Sequence, residues 1–392
     1  MYFVTFILKN LSRRPTRTAL TVLGLAVAVG SMIALLGISH NFTAAAIESF
    51  ERRGVDLIVI PGGQADQLSG KIDEWVVDRV RGWEEIDGVA AAIVDVAEMW
   101  RRDRKPDEQS APSIQVMIQA WAPDNFVFDE LEILKGRRLN AGDTGKVMLG
   151  NVVAENLKKG VGDAVTILGK PWEVVAVFKS PTVFESGSVI MLLTDYQTEI
   201  GAEGKVTGFS VRVKKPAGNP DAAVTAVREK LLDLKDAKGN PVRLSAESPR
   251  QYAENSSHLK IARAMAWLVS LIAVVIGVIS MMNTMAMSVL ERTQEIGILR
   301  AVGWPRGRVV RMVLGEAIFL GLTAATVGTA GAVAATYSLS YMPKVNGFIE
   351  GGIAPGVILQ GLGITVLVGL LGGAYPAFRA ARLLPTEAIR HD

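Results

Sequence analysis

Two uncharged stretches, Ala264–Leu290 and Ala317–Pro343, each run for about 27 residues. An α-helix needs only roughly 20 to cross a bilayer. The segment between them, Glu291–Arg311, must therefore turn at a membrane face. It carries Arg292, Arg300, Arg306, Arg308 and Arg311 against Glu291 and Glu295. Short arginine-rich loops between spans stay in the cytoplasm, which fixes the orientation. Two further spans complete the set. The expected bounds are 18–40, 263–290, 311–337 and 353–378. The first could be mistaken for a signal peptide, since Ala44-Ala45-Ala46 resembles a cleavage site. Its apolar core is longer than the roughly 7–15 residues of such peptides, so it reads as a retained anchor. Basic residues gather at the N-terminus, the middle loop and the tail 379–392. The outer loop 338–352 holds only Lys344 and Glu350. Both termini are thus expected inside, with everything between the first two spans outside.

Composition agrees with a chain that is part bilayer and part water. Hydrophobic residues make up 49 %, charged residues 21 %, and mean hydropathy is +0.29. The net charge of +3 is small and its basic excess lies beside the membrane, which argues against nucleic acid. With no cysteine, disulfides, thiolate metal sites and thiol nucleophiles are excluded. His40, His258 and His391 have no metal-ligand spacing. The nearest approach to a phosphate-cradling loop, Gly63–Ile72, has the wrong spacing and lacks the hydroxyl after Gly70-Lys71. No catalytic residue, metal or cofactor is expected in this chain, and any energy source belongs to another subunit.

Residues 41–262 contain no span and form the extracytoplasmic domain. Strands are expected at 55–60, 89–100, 114–121, 209–214 and 242–246, with helices at 71–81 and 221–234. These make an α/β lobe from about 41–134 and 206–255. A β-rich lobe is inserted at about 135–205, with strands at 146–149, 164–168, 172–178 and 188–192 and a helix at Asn151–Leu157. Residues 247–260 read as a helical stalk continuous with the second span. Residues 1–17 read as an amphipathic helix along the inner face, with Phe3, Phe6, Ile7 and Leu11 on one side and Lys9, Arg13 and Arg14 on the other. The fold class is an integral membrane α-helical protein with four transmembrane helices and a large extracytoplasmic α/β domain carrying a small β-rich insertion.

Within the inner loop, Ile296, Leu299 and Val302 suggest one apolar helix face, with Glu295 and Arg300 off it. Gly303 and Pro305 supply the stop. Glu295–Gly303 resembles the coupling helix of MacB/FtsX-type ABC transporter permeases. Asn10–Leu20 before the first span, Tyr375–Arg382 closing the last, and Pro385–Arg390 resemble the same family in the same order. Val161–Ile167 and the two-part outer domain resemble MacB- and LolC-like members. The resemblance implies that segment 291–310 couples to a cytoplasmic ABC ATPase dimer, which would bind ATP and Mg. The coupling residues it implies are Glu291, Arg292, Glu295, Ile296, Gly297, Leu299, Arg300, Ala301, Gly303 and Trp304. It further implies a second permease copy or paralogue, and a periplasmic adaptor or carrier with an outer-membrane channel as further partners. The expected setting is the bacterial cytoplasmic membrane. The expected work is export, extraction or release of a hydrophobic, lipidated or peptide cargo by transmitted motion. FtsX-like control of a cell-wall hydrolase is the alternative.

Glu316 is the one acidic residue within a span, and pairing with arginine near the inner interface is expected of it. Glycines recur along the spans and suggest close helix contacts, partly to a second copy. Otherwise the spans hold scattered neutral polar groups such as Asn283, Thr284, Thr326 and Thr365. Such a set offers no wet path for a hydrophilic cargo.

Overall fold

The computed structural model of the chain describes residues 15–63, 70–100, 113–180, 183–215, 219–340 and 352–383. The expected amphipathic helix at 1–17, the outer loop 338–352 and the tail 379–392 lie wholly or largely outside them. The chain opens with α1 (Pro15–Arg52), β1 (Leu57–Pro61), β2 (Ile72–Asp73), α2 (Glu74–Arg81), β3 (Ile86–Trp100) and β4 (Ser113–Trp121). A 3-10 turn (Phe126–Glu130) leads to β5 (Glu132–Gly136), β6 (Lys146–Gly150), α3 (Asn151–Leu157), β7 (Ala164–Ile167) and β8 (Lys170–Lys179). Next come α4 (Val183–Ser186), β9 (Ser188–Leu192), α5 (Leu193–Ile200), β10 (Lys205–Val206), β11 (Gly208–Val213), α6 (Pro220–Leu232) and β12 (Leu244–Glu247). The chain then runs through α7 (Pro249–Asn255), α8 (Ser257–Glu291), α9 (Thr293–Ala301), α10 (Arg306–Ser340) and α11 (Pro355–Arg382). It divides into two compact units, one of residues 1–41, 262–339 and 351–392 and one of residues 42–261 with 340–350.

In the first unit, α1, α8, α10 and α11 are the four helices among the described residues long and apolar enough to cross a membrane. All outrun their expected bounds on at least one side. Nothing stops α1 at residue 40, because Ala44–Ala46 favour helix and Glu48 pairs with Arg52 one turn on. It ends only where Gly54 takes a φ of +65°. Some of the glycines serve contacts inside the bundle, while Gly24, Gly331 and Gly363 face open space. A Cβ on Gly328 would lie 2.5 Å from the Ala26 carbonyl oxygen, and one on Gly30 would lie 2.8 Å from that of Gly328. Backbones of α1 and α10 therefore touch, as small residues allow in lipid. Gly373 sits against the Ala317 side chain and Gly372 against that of Met281. These positions are consumed within the chain and are closed to a second copy.

The second unit is built on one large sheet. Its order is β12-β1-β11-β3-β4-β9-β6-β8-β5, with β7 pairing both β3 and β8. The inserted strands do not stand apart as a separate lobe. β9 pairs in parallel with β4 (Ile118 with Val189), and β7 meets the end of β3 (Met99 with Ile167). The reason lies in the side chains. Ser188–Leu192 is buried at every position. Val147, Leu149, Val189 and Met191 join one core cluster, with Val153 and Leu157 of α3 and Val227 and Leu231 of α6. Met148, Ile190 and Leu192 join another, with Val127 and Phe128 of the 3-10 turn. A strand covered on both faces needs an unbroken apolar run, and such strands belong in the middle of a sheet.

The expected stalk is two helices. Ser256 has φ −54° and ψ 121°, which ends α7 before α8 begins. Ser248 caps α7 with a full capping box to Gln251. The expected helix at 71–81 likewise loses its start to β2, which pairs with β10.

Asp143 links the turn before β6 to its surroundings. Its carboxylate accepts hydrogen bonds from Arg137, from Lys146 at 2.9 Å and from the Asn140 amide at 2.9 Å. The Arg137 guanidinium, first among these, holds its carboxyl well below the usual carboxylate range. A depressed folded-state value contributes stability above the unfolded value near 4, and that stability is lost as pH falls through the folded one. Asp143→Asn is therefore expected to cost about 1–2 kcal/mol at pH 7. The gap between variant and parent should close as pH drops below about 4. Urea unfolding of the solubilised full chain, followed by tryptophan fluorescence at both pH values, checks this.

Candidate functional site

The site is built where α8, α9 and α10 meet. Arg292, with φ −112° and ψ 21°, breaks the helix between α8 and α9. Thr293 bends back, its hydroxyl donating to the Leu290 carbonyl at 2.8 Å. Nine residues later the chain turns again. Gly303 takes a φ of +100°, and the Trp304 amide donates to the Leu299 carbonyl at 3.1 Å. Arg300 donates to the Trp304 carbonyl at 2.9 Å, and the Arg308 guanidinium lies 4.9 Å from the Trp304 ring centre. The expected single coupling segment 291–310 is thus three pieces. Glu291 closes α8, Thr293–Ala301 is α9, and Arg306 opens α10.

The facing of α9 differs from the expected one. Ile296 and Gly297 are buried, Leu299 is half-buried, Ile298 is 50 % exposed and Val302 is 78 % exposed. Helix geometry explains it. Val302 lies six residues, about 240° of rotation, from Ile296, so the two cannot share a face. Ile298 lies about 200° away, on the opposite side. Ile296 joins the buried cluster of Met285, Val289, Val309 and Met312. It is committed to this chain's own core and is unavailable to a partner. Arg300 and the backbone of Trp304 also close the turn. The outward face consists of Gln294, Glu295, Ile298, Ala301 and Val302.

An ion pair fixes this orientation. Arg292 Nη1 lies 3.0 Å from both carboxylate oxygens of Glu316 on α10. Arg292 Nε lies 3.6 Å from Glu295 Oε2. The Glu316 side chain is almost fully buried, that of Arg292 slightly less. A carboxylate at that depth is tolerated only when paired. Arg292 therefore locks the start of α9 to α10, while Ile296 seats its first turn in the core.

A second polar joint, which sequence reasoning missed, lies in the outer unit just past α1. Arg53 is buried and pairs with buried Glu185 and, at 3.5 Å, with Glu130. Glu185 also accepts from Ser180 at 2.6 Å and from Ser49 at 3.4 Å. Phe50 adds an edge-on ring contact to Tyr252 at 5.8 Å. The end of α1 is thereby tied to the loop between β8 and β9. The only sequence signal was an arginine directly after a long helix, which reads as an ordinary surface cation.

Comparison with known proteins gives the family. Residues 18–230 match the family model described as the MacB-like periplasmic core domain. Residues 267–385 match that of the FtsX-like permease C-terminal region. The chain is 27 % identical to an uncharacterised ABC transporter permease of Methanocaldococcus jannaschii, covering 99 % of this chain and 98 % of that one. It is 26 % identical to the macrolide export ATP-binding/permease protein MacB of Neisseria gonorrhoeae, covering 96 % of this chain. The chain spans 58 % of the length of that relative. Among solved structures, the extracellular domain of the noncanonic ABC-type transporter YknZ from Gram-positive bacteria aligns at 16 % identity and TM-score 0.37, over 50 % of this chain and 99 % of that one. The periplasmic region of MacB from Actinobacillus actinomycetemcomitans aligns at 14 % identity and TM-score 0.40, over 52 % and 94 %.

The ion pair yields a direct test. Glu316→Ala leaves Arg292 without its buried partner and is expected to destabilise the membrane unit by roughly 3 kcal/mol. Replacing both, Arg292→Met with Glu316→Leu, should recover most of that loss. Thermal unfolding of the detergent-solubilised variants provides the measurement. A double variant no better than Glu316→Ala would mean that the pair does more than neutralise buried charge.

Proposed function

Because the chain belongs to the MacB/FtsX-type family of ABC transporter permeases, we propose that α9 is its coupling helix, gripped from the cytoplasm by an ABC ATPase dimer. The observation that carries this reading is the two-sidedness of a nine-residue helix. Its inward side is locked by Ile296 and Arg292, while Ile298 and Val302 are exposed and have no apolar cover. Large apolar side chains left uncovered at a membrane face, beside Glu295, fit a partner protein's groove. Docking therefore rests on Glu295, Ile298, Ala301 and Val302. Ile296, Arg300 and Trp304 act indirectly, by holding the helix in place.

ATP and Mg are bound and turned over in the ATPase, and this chain contributes motion only. The arginine-rich inner segments support cytoplasmic termini and an extracytoplasmic sheet domain. Movement of α9 passes to α8 and α10, helices of 35 residues each. α1 continues past the apolar stretch and ends directly at the Arg53–Glu185 joint. That joint ties the last turn of α1 to the sheet domain. The cargo class is hydrophobic, lipidated or peptide, acted on outside the membrane, with an adaptor or carrier as the receiving partner. A cell-wall hydrolase captured by the outer domain instead would shift the reading to FtsX-like regulation.

The double variant Ile298→Asp/Val302→Asp is expected to lose the ATPase. Removing two apolar anchors from one interface should weaken binding by about 30-fold or more. The permease itself should stay inserted and folded, because neither side chain is buried. Co-purification of the ATPase and its permease-stimulated ATP turnover are the readouts. Wild-type binding by the double variant would place the docking surface elsewhere.

A further inference from the structure

The stretch Tyr375–Arg382 closes α11 and takes no part in α9. Its inward face is made of small residues. Pro376, Ala377, Ala380 and Ala381 are buried, and the three alanines join the cluster that holds Ile296 and Val309. This end of α11 therefore lies at the end of the bundle that carries α9. Its outward face is different in kind. Leu367, Leu371, Tyr375 and Phe378 are each more than half exposed, and Arg379 and Arg382 are exposed beyond them. Steps of three and four residues put all six on one side of the helix. Neither arginine makes a hydrogen bond or ion pair among the described residues, and nor does the Tyr375 hydroxyl. The acidic groups Glu295 and Glu316 are engaged by Arg292.

We propose that this face of α11 binds the headgroup of an anionic phospholipid, with Arg379 and Arg382 on the phosphate and Tyr375 and Phe378 against the glycerol and upper acyl chain. The order of side chains along the axis selects that occupant. Leucines come first, then the aromatic pair, then the arginines. A phospholipid presents the matching sequence of tail, interface and charge. Tyr375 and Arg382 are seven residues apart, about 10 Å along the helix, enough to cross a headgroup layer of roughly 5–8 Å. A water-soluble partner protein could meet the arginines but would leave the leucines and the aromatic pair uncovered. The charges also call for an anion. Two guanidinium groups one turn apart on the same face repel each other, and a phosphate between them removes that cost. A guanidinium offers a planar pair of N–H donors that suits phosphate oxygens. A single cation in the last turn is accounted for by the helix dipole, but a graded face of six side chains is not. The inference does not rest on ATPase docking.

The test uses the detergent-solubilised full chain without ATPase, offered equal amounts of phosphatidylglycerol and phosphatidylcholine. Native mass spectrometry counts the lipids retained. The parent chain is expected to keep phosphatidylglycerol at least about fivefold over phosphatidylcholine. Arg379→Gln/Arg382→Gln should bring that ratio close to one. Arg306→Gln/Arg311→Gln removes the same charge from exposed positions at the same end of the bundle and should keep the preference. Thermal unfolding supplies a second readout. Without phosphatidylglycerol the three proteins should unfold alike, because none of these arginines is buried. Adding the lipid should raise the unfolding temperature of the parent and of Arg306→Gln/Arg311→Gln, but not that of Arg379→Gln/Arg382→Gln. No preference in the parent chain would overturn the proposal. Equal loss from both double variants would also do so, since it would mean a diffuse positive field. Displacement of the lipid by millimolar inorganic phosphate would mean a site for a free anion. Because no ATPase is present, each of these failures leaves the coupling-helix reading standing.

Discussion

A charge inside a low-dielectric environment must be paired, and at the inner end of this bundle the pair is Arg292 with Glu316. Much else follows from it. Arg292 breaks the helix where it reaches the carboxylate of α10, and α9 starts in a new direction. Once its first turn is tied down, Ile296 falls into the core and Ile298 is forced outward. The exposure of Ile298 and Val302 is thus a consequence of the lock, and needs no separate explanation. A helix held at its base with an apolar face outward is what the proposed docking requires.

The outer unit meets a related requirement by different means. Its central strands are buried on both faces, so the sheet cannot shear without opening two cores. At its edge near α1, Arg53 and Glu185 form a buried pair reinforced by serine hydroxyls. Polar joints of this kind depend strongly on direction, because a small displacement leaves a buried charge unmatched. Apolar contacts such as Phe50 with Tyr252 tolerate sliding. The combination fixes the end of α1 to its own domain in direction as well as in position.

How much of this was legible in the sequence depends on the range of the interactions. The four spans were legible, since they rest on run length and apolar composition alone. The strand Ser188–Leu192 and the helix Asn151–Leu157 were read at their observed bounds for the same local reason. The joining of the insertion to the main sheet was not. It depends on a parallel pairing of β4 with β9 that no local pattern encodes. The helix Leu193–Ile200 was passed over because it starts without a capping side chain directly after a strand. The facing of α9 was misread because three apolar residues spaced by three drift around a helix by about 60° at each step. That Arg300 also closes its own turn, at the Trp304 carbonyl, could not be read from the sequence.

The polar groups of the spans bear on where the work is done. Thr284, Thr326 and Thr365 return their hydrogen bonds to their own backbones, and Glu316 is neutralised at the inner end. Crossings such as Gly30 with Gly328 bring backbones into contact and leave no room for water between α1 and α10. A hydrophilic cargo moving through such a bundle would strip its hydration with nothing offered in return, at several kcal/mol for each unpaired group. A bundle of this kind is better suited to carry force than solute. That is in keeping with the proposed handling of cargo at the extracytoplasmic domain.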